Sequence, residues 1–168
     1  SINQVLDLCT GSGCLAILAA HVFPQARLDA TELSPDAIEV ARRNIGDHGV
    51  AGRVSVKQAD LFGELRTRYD LILANPPYVN QDSMQTLPAE YRAEPVLALS
   101  GGADGLDIVR KILREAPARL KPTGLLVVEV GHNQGALEAA FPQLPFIWLE
   151  TSPGGGHVFL LKASDLSR

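Results

Sequence analysis

Gln4-Val5-Leu6-Asp7-Leu8-Cys9 runs into Thr10-Gly11-Ser12-Gly13 and then into a small, apolar stretch from Cys14 to Val22. The first run reads as a strand, the glycines as a turn, and the stretch after them as a helix. Glycine accepts positive φ and lets the backbone approach a ligand closely, while the unpaired N–H groups of the helix start face whatever lies above the turn. Gly11-x-Gly13-x-x-Ala16 satisfies the dinucleotide fingerprint with Ala in its last place. Arg27-Leu28-Asp29-Ala30-Thr31-Glu32 then reads as a second strand that ends in an acid about twenty residues past the glycines, the place where a ribose diol is held. The plainer role for Glu32 is an exposed acid that opens the next helix.

Ser34 and Pro35 supply a cap and a first-turn proline for that helix, whose buried face is Ala37, Ile38, Val40, Ala41 and Ile45, with Gly49 or Gly52 as its end. Arg53 to Lys57 is a third strand, and Asp60 leaves its end, placed either to bond an adenine amino group or as a surface loop acid. The fourth strand, Tyr69 to Ala74, stops on Asn75-Pro76-Pro77-Tyr78. Each proline lacks an N–H and forces the residue before it out of the α region, so Asn75 and Pro76 are extended and their carbonyls are free. A rigid corner carrying an amide, free carbonyls and an aromatic ring can hold a planar N–H donor by its hydrogens and stack on it. Its plainer role is a turn.

Alternating strands and helices imply parallel strands, right-handed crossovers and a ligand beyond the carboxyl ends of the strands. Residues Val79 to about Gly105 make a long connection of the kind that forms a lid or binding loop. Beyond it lie a helix from Leu106 to Leu120, a turn at Pro122-Thr123-Gly124, a fifth strand from Leu125 to Val130 and a helix from Asn133 to Phe141. Phe146–Glu150 and His157–Lys162 flank Gly154-Gly155-Gly156 as a closing hairpin, and Asp104 reads as a cap.

At 168 residues, 46% hydrophobic and 20% charged, the chain has the material for one domain core. Its net charge of −4 disfavours broad attachment to nucleic acid or to an anionic membrane, and its apolar runs are too short to span a bilayer. The partner is expected to be a protein or small molecule and the location cytoplasmic. Cys9 and Cys14 flank a tight turn and read as free thiols, and the histidines share no metal-ligand spacing. Neither a Gly-x-Ser-x-Gly elbow nor a phosphate-loop lysine is present. The abrupt start at Ser1 leads to the expectation that an N-terminal segment is missing.

Asp7-Leu8-Cys9-Thr10-Gly11-Ser12-Gly13, Glu32, Asp60 and Asn75-Pro76-Pro77-Tyr78 together resemble the class I S-adenosylmethionine-dependent methyltransferases of planar amide or amino nitrogens. Cys9–Gly13, Leu87-Pro88-Ala89-Glu90-Tyr91-Arg92-Ala93-Glu94-Pro95 and Gly102-Ala103-Asp104-Gly105-Leu106-Asp107 narrow the resemblance to protein glutamine methyltransferases, nearest the branch acting on large-subunit ribosomal protein L-three. The resemblance implies a Rossmann-like α/β fold, a mostly parallel seven-stranded sheet with helices on both faces and an antiparallel last strand. It implies that residues 1–168 are the catalytic domain and that a substrate-recruiting N-terminal helical domain is absent. It implies that S-adenosylmethionine is held by Asp7, Thr10, Gly11, Gly13, Glu32, Asp60 and Asn75, leaving S-adenosylhomocysteine. The acceptor amide is held by Asn75, Pro76, Pro77 and Tyr78, with Asn75, Pro76 and Tyr78 catalytic. One departure stands out. The family's first loop glycine is Cys9 here, which is tolerable where that position keeps φ negative.

Other readings are methylation of a release-factor glutamine, or of adenine or guanine amino groups in DNA or ribosomal RNA, which the acidic balance disfavours. A nicotinamide-dependent dehydrogenase leaves the Asn-Pro-Pro-Tyr corner unexplained, and a binding domain without catalysis is the remaining alternative.

Overall fold

A computed structural model describes residues 1–77, 104–150 and 157–166. Strand β1 (Gln4–Leu8) leads through the glycine turn into α1 (Cys14–Val22), and β2 (Arg27–Glu32) leads into α2 (Pro35–Asp47). Then come β3 (Val54–Gln58), β4 (Tyr69–Ala74), α3 (Asp107–Arg119), β5 (Leu120–Glu129), α4 (Gln134–Ala140), β6 (Ile147–Leu149), β7 (Val158–Lys162) and α5 (Ala163–Leu166). The seven strands form one sheet in the order β3-β2-β1-β4-β5-β7-β6. Pairing is parallel from β3 through β5, and β7 runs antiparallel between β5 and β6. This is the α/β architecture that the alternating pattern implied.

Side chains alternate across each strand, so the sheet builds two cores. Val5, Leu28, Ala30 and Val54 pack under α1 and α2 with Ala16, Ile17, Ala20 and Ile45. Leu6, Leu8, Ile72, Leu126, Val128, Phe159 and Leu161 pack on the other face with Val109, Ile112 and Ala116 of α3, Leu137 of α4 and Ala163 of α5. Ser34 caps α2 through its hydroxyl, which accepts the Ala37 N–H, and Pro35 occupies the first turn as expected. Of the two glycines offered for its end, Gly49 follows the cap with φ 69°.

Most element ends shift by a residue from the sequence reading, and at β3 and β5 the shift has a tertiary reason. Arg53 stands outside β3, and its guanidinium donates to the carbonyls of Ala20, Phe23 and Ala26, tying off the end of α1. Strand β5 starts at Leu120 rather than Leu125, because Leu120 already pairs with Tyr69 before the register shifts to Leu71–Leu125. Pro122-Thr123-Gly124 is therefore an irregularity inside the strand instead of a turn before it. A Cβ at Gly124 would sit 2.9 Å from the Tyr69 carbonyl oxygen, so only glycine fits there.

Asp104 accepts the Leu106 N–H at 3.1 Å and pairs with Arg110, so it braces the start of α3. The expected lid, Tyr78, Leu87–Pro95, Gly102, Ala103 and the Gly154–Gly156 turn lie outside the described residues. Cys9 and Cys14 are both free thiols. Among the described residues, no helix is long and apolar enough to cross a membrane.

Candidate active site

The carboxyl ends of β1, β2 and β4 lie level, with Leu8 in register with both Thr31 and Ala74. Two backbone bonds hold the loops to this edge: Thr10 N–H donates to the Thr31 carbonyl at 3.0 Å, and Ala59 N–H to the Glu32 carbonyl at 2.9 Å. Thr10, Gly11, Gly13, Glu32, Asp60 and Asn75 are thus delivered to a single sheet edge from four strands. Gly11 and Gly13 both have positive φ, 54° and 86°. A Cβ on Gly11 would point into open space, and one on Gly13 would make ordinary contact with Ala41 of α2 at 3.4 Å, so the positive φ rather than crowding calls for glycine at both. The first glycine keeps the backbone reachable from outside. Asn44 of α2 also donates to the Ser12 carbonyl at 2.9 Å, a brace on the turn that the sequence reading missed.

Glu32 is the ordering centre of this edge. One carboxylate oxygen accepts the Gly11 N–H at 2.9 Å, and the other accepts those of Leu33 and Ser34 at 2.8 and 3.0 Å. It joins the glycine turn to the entry of α2, so the proposed ligand and the plainer helix-opening role are compatible. A carboxylate has about four acceptor positions, and three are occupied by these N–H groups.

Asp7 is fully buried beneath the turn. One of its oxygens accepts the Thr10 hydroxyl, while Oδ1 has no partner. Burial pushes its carboxyl up to about 7, opposed chiefly by the Thr10 hydroxyl and helped by the nearby Glu32 charge. Cys9 lies among the same acids. Burial, then Glu32, Asp7 and Asp60, push its thiol up to about 12. The condition set on Cys9 is not met: its φ is 56°, in the left-handed region, because the chain must turn sharply from β1 into the loop. Leu61, next to Asp60, has φ 52° on the same edge. Non-glycine residues pay roughly 1–3 kcal/mol for such a conformation, and such residues cluster at functional sites. At Cys9 the signal was the glycine that the resembling family carries there, whereas Leu61 gave no signal in the sequence, since leucine does not favour that region.

Asp60 is exposed, 3.8 Å from the Lys111 ammonium of α3. Asn75 is exposed immediately beyond β4, while Pro76 is buried and Pro77 half-buried, so the prolines anchor the corner and leave the amide outward. Tyr78 lies outside the described residues.

Residues 1–91 match the family model described as the methyltransferase small domain. The chain belongs to the methyltransferase small domain family. Among curated relatives, the chain is 54% identical over 99% of its length to a ribosomal protein uL3 glutamine methyltransferase of Bradyrhizobium diazoefficiens, covering 52% of that protein. It is 52% identical over 99% of its length to one of Bordetella pertussis, covering 56% of it. The chain thus spans about half the length of the curated relatives it matches. In fold, this methyltransferase domain is similar to a ribosomal protein L11 methylase of Lactobacillus delbrueckii subsp. bulgaricus, with a TM-score of 0.67, 20% identity, and 95% and 69% of the two chains covered. A methyltransferase of Pyrococcus furiosus gives 0.70 at 19% identity, with 97% and 75% covered. An RNA methyltransferase of Salinibacter ruber in complex with S-adenosyl-L-homocysteine gives 0.58 at 20% identity, with 96% and 80% covered.

The donor set suits a ligand that is cationic and rich in hydroxyls. Asp7, Glu32 and Asp60 are three acids grouped around Cys9, Asp7 keeps an orphan buried oxygen, and the Gly11 backbone is open above. S-adenosylmethionine, with an ammonium, a sulfonium and a ribose diol, fits that set, whereas a dinucleotide pyrophosphate would meet like charge.

Proposed function

We propose that this domain transfers a methyl group from S-adenosylmethionine to the side-chain amide nitrogen of a glutamine in ribosomal protein uL3, in the cytoplasm. The observation that carries the reading is 54% identity over nearly the whole chain to proteins named for that activity, with every described residue of the sequence-derived site gathered at one edge. The assigned roles are as follows: the acceptor position left on Glu32 takes a ribose hydroxyl, Asp60 holds the adenine amino group, and Asp7, Thr10, Gly11 and Gly13 hold the amino-acid end of the cofactor. Residues 1–168 form the cofactor-binding catalytic domain, and recruitment of uL3 belongs largely to the rest of the protein.

S-adenosylmethionine, when bound, supplies an electrophilic methyl group on a cationic sulfur. A glutamine amide nitrogen is a weak nucleophile because its lone pair is delocalised into the carbonyl. The Asn75 side-chain oxygen and the Pro76 carbonyl accept the two amide hydrogens, aim the nitrogen and draw electron density toward it. Tyr78 packs on the amide plane, and Pro77 keeps the corner rigid. In-line placement at about 3–3.5 Å is then the main catalytic device, and one amide proton passes to solvent after the nitrogen has taken the methyl group, so no strong base is required.

The test is methyl transfer to purified uL3 with residues 1–168 and with a longer protein carrying the relatives' additional half. Mass spectrometry should place one methyl group on a glutamine, with faster turnover for the longer protein. Methylation of a nucleic acid or of a release factor in preference to uL3 would overturn the substrate assignment.

A further inference from the structure

Arginines mark the amino ends of four parallel strands. Arg27 is the first residue of β2, while Arg53, Arg68 and Arg119 each stand one residue before β3, β4 and β5. The strand order places Arg53 and Arg27 on one side of β1 and Arg68 and Arg119 on the other. Leu28 N–H donates to the Arg53 carbonyl at 2.8 Å, and Tyr69, next after Arg68, pairs with Leu120, next after Arg119, so the members of each pair are neighbours. With strands about 4.8 Å apart, the row from β3 to β5 is roughly 19 Å long. Among the described residues, none of the four arginines has a carboxylate partner. The acids in the amino-terminal halves of these strands are already paired. Asp29 accepts the Tyr69 hydroxyl at 2.7 Å and meets Lys57, and Asp70 meets Lys121 at 2.8 Å and accepts the N–H groups of Asn3 and Gln4. Arg53 and Arg68 donate only to carbonyls, Arg27 is exposed, and the Nε of half-buried Arg119 has no partner. The net charge of −4 therefore conceals a separation, with uncompensated cations at the amino ends of the strands and Asp7, Glu32 and Asp60 toward their carboxyl ends.

We propose that this arginine row docks the phosphate backbone of RNA. A guanidinium is always charged, is weakly hydrated, and presents its donors in a fork that matches phosphate oxygens. Arg27 has its whole fork unused and Arg68 spends one bond on the Leu120 carbonyl, so both retain donors for a ligand. A line of such charges suits a polyanion better than a single small anion, because each successive phosphate meets a further cation and releases its counterion. The choice of RNA rests on the reading of uL3 as the substrate, since a ribosomal protein is assembled with RNA. Strand β4 is six residues long, which sets the row about 20 Å from Asn75 at the other end of the strand. RNA on the amino edge is thus a docking partner and not the methyl acceptor, and it leaves the carboxyl edge free for the cofactor and the protein substrate.

The test follows binding of a fluorescein-labelled oligouridylate to residues 1–168 by anisotropy across a salt series. Contact of four arginines with phosphates of a single strand gives a slope of log affinity against log salt of about −3. Arg27→Gln combined with Arg68→Gln should weaken binding at least tenfold at low salt and bring the slope to about −1.4, with S-adenosylmethionine affinity unchanged. Arg27→Gln alone, which removes no bond within the described residues, should lessen the slope by about 0.7 and leave the urea midpoint where it was. Arg43→Gln, on the exposed side of α2, should bind RNA as the parent chain does. A slope near zero for the parent chain would overturn the proposal, as would an equal loss in Arg43→Gln. Tighter binding of poly-glutamate than of the RNA would also overturn it and assign the row to an acidic protein. Because uL3 is absent from the measurement, loss of the RNA site and failure of the substrate assignment are read separately.

Discussion

The β1–β2 half of the active-site edge and the β3–β4 half are built to different standards of order. In the first, Asp7 and Thr10 are buried and bonded to each other, and Glu32 is fixed by three backbone N–H groups from the turn and the α2 entry. In the second, Asp60 and Asn75 are exposed, and the only described ion pair of Asp60 is the long one to Lys111. The ordered half suits a ligand bound in the same way each time. The exposed half suits a second reactant that must enter and leave, with the buried Pro76 and half-buried Pro77 anchoring the corner. The expected consequence is a division of labour, with affinity for cofactor on one side and rate on the other.

The largest effect should come from the exposed half. Asn75→Ala removes the acceptor oxygen aimed at the amide, so single-turnover methyl transfer should fall by about 10²–10³, the scale of a lost oxyanion-hole donor, with cofactor affinity nearly unchanged. Asn75→Asp should also be slow, because the added charge favours the bound cation before transfer over the neutralising transition state. Near-normal transfer by Asn75→Ala would reduce the corner to a strand terminator.

Glu32→Ala should act in the opposite manner, weakening S-adenosylmethionine binding by roughly 1.5–3 kcal/mol as a charge-assisted acceptor is lost. Calorimetry checks this, and unchanged affinity would remove Glu32 from the site. Because the same carboxylate joins the turn to α2, a fall in stability without a fall in affinity would assign it to architecture alone.

Asp7 makes the ordered half sensitive to pH. Its carboxyl moves from 3.8 to about 7 on folding, so between these values the native protein binds more protons than the unfolded chain. Stability should therefore fall as pH rises from about 4 to about 7, with a slope from this group of at most about 1.4 kcal/mol per pH unit. Asp7→Asn removes the titration and should flatten the curve of urea midpoint against pH. An equally steep curve in the variant would place the pH dependence elsewhere.

The smallest effect is expected at Cys9. Cys9→Gly relieves a left-handed φ and should raise stability by about 0.5–1 kcal/mol, read from the urea midpoint. A loss instead would mean that the packing of the thiol beneath the turn outweighs the strain.

Much of the architecture was legible in the chain. The bounds of α1, β2 and β4 follow directly from Gly13, from Glu32 and from Pro76, since a glycine turn, a charged strand end and a proline act locally. The ligand edge followed from the alternation of elements, because parallel strands joined by helices bring all their carboxyl ends together. Less was legible where a residue's role depends on a distant partner. Arg53 reads as the start of a strand but ties down the end of α1, and Asn44 reads as one polar helix residue among several but holds the Ser12 carbonyl.

The sequence by itself determined the element types, the parallel core and the candidate donors, because periodicity, glycine and proline act over a few residues. The tertiary structure decided their states. Burial raised the Asp7 carboxyl well above its ordinary value because folding took it out of water, and Cys9 took a positive φ where the chain turns out of β1 and Thr10 N–H meets the Thr31 carbonyl. Glu32 became the hub of the site because two elements presented their N–H groups to it. Leu73 and Val127 pack against the core of α1 and α2, whereas Leu160 and Ile147, next in the same register row, join neither core because those helices bury their side chains nearer β1. Desolvation, strain and coverage are properties of groups far apart in the chain, and they acquire values only when the strands are in register.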